Sequence, residues 1–104
     1  MDEAMELAEQ HILEATSRLR HIDEAMARAR SAPLDEARRS QTDLLLQQIE
    51  ADRNRLAGEL EALRRLPRHA GSDILARGEG LKGMLEATGR QMEQVLAAIF
   101  DRGR

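Results

Sequence analysis

From Met5 to Ala29, apolar residues recur at alternating steps of three and four: Met5, Ala8, Ile12, Ala15, Leu19, Ile22, Met26 and Ala29. A helix gathers residues three and four apart onto one side, so this register predicts a narrow, coiled-coil-like seam facing another helix. Alanine at Ala8, Ala15 and Ala29 allows close approach at those levels. Helix one is expected over about residues 2–30, with acids in its first turn and Arg28 and Arg30 in its last, as the helix dipole favours.

Ser31-Ala32-Pro33 breaks the pattern, and Pro33 suits the first turn of a second helix, where its missing N–H costs nothing. Helix two is expected over about 33–66, a length of roughly 50 Å at 1.5 Å per residue, with Pro67 as its stop. So short a connection predicts that the first two helices lie antiparallel. On a helical wheel Leu34, Leu45, Ile49, Leu56, Leu60 and Leu63 share one face of helix two. The run Leu44-Leu45-Leu46 spreads over about 200°, a width that calls for two neighbours. The middle helix of a three-helix bundle meets that demand, as does a dimer interface.

After a turn at 67–71, the third helical stretch contains Gly78, Gly80 and Gly83. Each glycine costs about 1 kcal/mol relative to alanine inside a helix. The expectation is a loose segment over 72–80, with Ser72 as a cap, and a firm helix three over about 81–101. Its apolar face is Leu81, Leu85, Thr88, Met92, Val95, Leu96 and Ile99. Gly78 and Gly89 fall on that face, where they permit tight approach, whereas Gly80 and Gly83 point away. No stretch alternates with period two for long enough to form a strand. The fold class expected is therefore all-α: a single antiparallel three-helix bundle with two long helices and a shorter third one after a glycine-rich joint.

Composition changes this picture mainly by exclusion. With one aromatic residue, Phe100, and no cysteine, the core must be aliphatic, and neither disulfides nor thiolate metal sites exist. Acids and bases are mixed throughout, and the net charge of −3 is made up of −3 over residues 1–32, −1 over 33–67 and +1 over 68–104. No segment holds the basic field of a typical nucleic-acid binder. Fifteen arginines against one lysine suggest a GC-rich bacterial genome. No apolar run reaches the length needed to span a bilayer, so no membrane insertion is expected. The protein is expected to be soluble and most simply cytoplasmic, with export by a route lacking a cleavable signal left open.

Candidate chemistry is sparse. Gly78-Glu79-Gly80-Leu81-Lys82-Gly83 matches the G-x-G-x-x-G of dinucleotide folds, but that loop works only after a buried strand in a parallel sheet. Here it reads as a hinge, and no cofactor is expected. His11, Glu14 and His21 share helix one at spacings of three and seven, yet no other helix offers matching metal ligands. They read as solvated flank pairs. No Ser–His–acid grouping exists, so no enzyme is expected.

Two polar features stand out. Asp52 falls near the middle of helix two's apolar face, with Arg53 at the edge; it is the candidate buried polar group, the alternatives being that the face is open there to a partner or that helix curvature carries Asp52 to the rim. Arg64, Arg65, Arg68 and His69 cluster around the second turn and form the candidate anion contact. The function expected is a protein-interaction or assembly module whose partner is another protein or itself, as a homo-oligomer. Leu44, Leu46, Leu60, Leu66 and Met84 are the apolar residues expected to remain for that surface. The alternative is a small regulator touching nucleic acid through the basic turn 64–69, although aromatics that would stack on bases are missing.

Overall fold

A computed structural model describes residues 3–100 as three long helices joined by short connections. They are α1 (Glu3–Ser31), α2 (Glu36–Arg64) and α3 (Gly71–Phe100), with a single 3₁₀ turn over Arg68–Ala70 before α3. No strand occurs among the described residues. Ion pairs fix the directions. Asp23–Arg53 and Arg30–Glu50 join α1 to an antiparallel α2, whereas Glu14–Lys82 and Arg18–Glu86 join α1 to a parallel α3. The fold is thus an all-α three-helix bundle, elongated to 55 × 23 × 17 Å.

Each helix contributes one seam at three-four spacing. On α1 it runs through Ala8, Ala15, Leu19, Ile22, Met26 and Ala29, as the sequence pattern predicts. On α2 it runs through Thr42, Leu46, Ile49, Leu56, Leu60 and Leu63. On α3 it runs through Gly71, Ile74, Gly78, Leu81, Leu85, Thr88, Met92 and Val95. The most extensive packing joins α1 to α3, whose seams hold the small residues Ala8, Ala15, Gly71 and Gly78 that let backbones approach.

Two expectations about the elements are corrected. Helix two starts at Glu36 rather than in the first turn after Pro33, because the Asp35 carboxylate accepts the Arg38 N–H at 2.8 Å and caps it. The glycine-rich stretch is no loose joint: α3 is continuous from Gly71, so it equals the other helices in length. The energetic reason lies in Ile74 and Leu81, which are 1% and 2% exposed. Burying each contributes about 1.5–3 kcal/mol, which outweighs about 1 kcal/mol per glycine. Asp2 and Asp101, expected at helix ends, lie outside the described residues.

The consecutive residues Arg38 and Arg39 tie the bundle together at one end. Arg39 donates to the carbonyls of Ala29 and Ala32, at the C-terminus of α1. Arg38 donates at 3.4 Å to the carbonyls of Ala98 and Ile99, at the C-terminus of α3. Carbonyls in the last turn of a helix are available to outside donors, and a cation there also complements the dipole.

Candidate functional site: the groove between α1 and α3

The parallel pair α1 and α3 is closed along one half and open along the other. In the closed half Gly78 is buried, and a Cβ built on it would sit 3.2 Å from the His11 Cβ. His11 Nδ1 is buried there without a hydrogen-bond partner. Glu14 and Lys82 pair at 3.4 Å beside it, and the Lys82 ammonium holds the Glu14 carboxyl below its ordinary pKa. The Gln10 amide, donating to Glu14 at 3.2 Å, acts in the same direction.

In the open half, the helices leave a groove of about 640 Å³ between residues 18–28 of α1 and 85–96 of α3. Gly89 makes this space, since a Cβ there would meet nothing within 4 Å. Ile22, Leu85 and Met92 form the buried floor, and half-buried Ala25 and Leu96 line it above them. The rim is charged: Arg18, His21, Glu24 and Arg28 stand on α1, and Glu86, Arg90 and Glu93 on α3. The Arg18–Glu86 pair, at 3.1 Å, closes one end. At the other end the Arg28 guanidinium lies 5.7 Å from the centroid of the half-exposed Phe100 ring, a cation–π contact.

The α1–α2 flank has a different character. Arg53 forms a bidentate pair with Asp23 at 2.8 and 2.9 Å, and Arg30 meets Glu50 at 2.6 Å. The hydrogen bonds that Arg53 donates to the Asp23 carboxylate raise the pKa of the guanidinium above its ordinary value. Arg53 continues the α2 seam between Ile49 and Leu56 and is a charged residue within that apolar face. Asp52, the candidate buried polar group, lies at the rim instead: its side chain is 44% exposed and lies 3.7 Å from Arg55 on the same helix, as the curvature alternative had it. The signal was available in Leu46, because a register begun there instead of at Leu45 leads to Arg53.

The apolar residues expected at the surface divide. Leu46 and Leu60 are 2% and 3% exposed and belong to the core, so they are withdrawn as docking residues. Leu66 is half-buried and packs against the core. Leu44 and Met84 are exposed, at 63% and 39%, but neither lines the groove. Leu45, expected in the interior face, is half exposed instead. The core takes Leu46, which leaves Leu44 and Leu45 outward.

At the second turn, Arg64 is committed to protein partners: it donates to the Thr16 hydroxyl on α1 and to Glu61. Thr16 in turn donates to the Ile12 carbonyl at 2.8 Å. Arg65 and His69 are exposed, and the side chain of Arg68 lies outside the described part of the structure. Among the described residues no group of three or more His, Cys, Asp or Glu is placed to hold a metal ion, and no helix is long and apolar enough to cross a membrane. Compared with protein families, curated proteins and solved structures, the chain matches none.

Proposed function

We propose that this chain is a non-catalytic helical docking module whose α1–α3 groove receives a segment of protein. The observation that carries this reading is the groove beside Gly89: half-buried Ala25 and Leu96 line it above buried Ile22, Leu85 and Met92, and charged side chains border it. Apolar lining with a few oriented polar groups is the usual make-up of a binding groove, and helix-in-groove recognition uses it. The rim groups suit recognition better than catalysis, since Arg18 pairs with Glu86 and His21 lies 4.0 Å from Glu24. The net charge of −3 and the engagement of Arg64 favour a protein partner over nucleic acid.

Photo-crosslinking tests the reading directly. A photoreactive side chain placed at Gly89 is expected to yield protein adducts, whether with the chain itself or with proteins of a host lysate. The same group at Gly80, an exposed glycine with nothing within 4 Å, serves as the control. Equal labelling at the two positions would sink the docking reading.

A further inference from the structure

Midway along the groove, the polar side chains of the rim fall into two bands. The pairs Glu14–Lys82 and Arg18–Glu86 set residue n of α1 level with residue n + 68 of α3. In that register His21 of α1 stands near Arg90 of α3, and Glu24 stands near Glu93. All four side chains are exposed and line the groove. A basic band is thus followed, one turn further along both helices, by an acidic band.

Resting on the reading of the groove as a docking surface, we propose that its occupant is a second copy of this chain, docked groove to groove with the helices of the two copies antiparallel. Identical copies pair most simply about a twofold axis, which demands a self-complementary surface. If the axis ran along the helices, α1 would face the partner's α3 at the same level. The acidic band would then meet an acidic band, Glu24 against Glu93 of the partner subunit. An axis across the helices reverses the levels instead. It brings Arg90 against Glu93 of the partner subunit and His21 against Glu24 of the partner subunit. The same operation brings Arg18 toward Arg28 of the partner subunit. That contact is tolerable because Arg18 is already neutralised by Glu86, and Arg28 rests on Phe100. The charge pattern therefore selects one of the two symmetric arrangements, and like-charge contact disfavours the other.

Sedimentation velocity on the full chain, up to about 1 mM to reach weak pairs, supplies the test. The native protein is expected to form dimers as concentration rises, less so at high salt. Arg90→Glu and Glu93→Arg should each weaken self-association by about tenfold or more, because a twofold axis repeats every reversed contact. An equimolar mixture of the two variants should recover the dimer, since both contacts again join an acid to a base. Both positions are exposed on a helix, and circular dichroism verifies that each variant is folded. A native chain that stays monomeric, a dimer indifferent to either reversal, or a mixture that fails to recover would overturn the proposal. Crosslinking at Gly89 separates the two failures: adducts with other proteins from a monomeric chain refute the dimer and leave the docking reading standing. Labelling no greater than at Gly80 refutes both.

Discussion

At Gly78 an added Cβ would lie 3.2 Å from the His11 Cβ, whereas at Gly89 it would meet nothing within 4 Å. The two glycines stand on the same helix, both against α1, and they do opposite things. Gly78 is a seam residue of α3, and the absent side chain is what lets two parallel helices touch. Gly89 lies one position beyond the seam residue Thr88, and its absent side chain leaves space. A glycine on an apolar face thus has no single meaning. What its missing Cβ does depends on how far away the facing backbone stands, and that distance is set by the seam as a whole.

The comparison is broken most decisively by adding bulk. Gly78→Leu is expected to destabilise the fold by about 2–3 kcal/mol through overpacking against His11. Gly89→Leu should leave stability unchanged or raise it by up to about 1 kcal/mol, since helix propensity improves and space is available. Urea denaturation of both variants checks the contrast, and equal losses would show that the groove is not open at Gly89. Exposed glycines extend the scale: Gly80→Ala and Gly83→Ala should each stabilise by about 0.5–1 kcal/mol, seen as a rise in Tm, because neither Cβ meets a neighbour. A drop in Tm would mean that the flexibility of this stretch matters to the native state.

Ion pairs produce smaller effects. Asp23→Asn should cost up to about 1 kcal/mol, since the bidentate partner Arg53 is 28% exposed and water screens the pair. A double-mutant cycle with Arg53→Met isolates the coupling, and a coupling indistinguishable from zero would remove the pair from the account of the α1–α2 flank. Least in energy is the pH effect at Glu14. Its lowered pKa contributes stability that is present above the unfolded value and lost as pH falls through the folded one. Lys82→Met should move the Glu14 carboxyl back up toward its ordinary value, read by NMR titration. An unmoved pKa would show that Lys82 is not the cause.

How much was legible beforehand varies with the kind of residue. The α1 seam was readable in full, because Ile12, Leu19, Ile22 and Met26 mark it and the alanines fall in step. On α2 the triplet Leu44-Leu45-Leu46 offered three registers, and hydrophobicity does not choose among them. The packed bundle selects Leu46, which carries Arg53 into the seam and turns Asp52 outward. On α3 glycine hid the pattern: Gly71, Ile74, Gly78 and Leu81 hold perfect three-four spacing, yet two of the four are poor helix formers with no side chain to count as apolar. The groove itself left little trace in the sequence, since its lining comes from residues far apart in the chain.

Three amphipathic helices and the short connection between the first two are properties of the sequence alone, whereas the first turns of α3 are not. Periodicity, caps and breakers act over a few residues and need no knowledge of the rest of the chain. Which leucines are buried, whether a glycine closes a seam or opens one, and which charges share a level were decided only by tertiary structure. Each of these depends on the distance and register between helices, and packing of the whole bundle settles both at once.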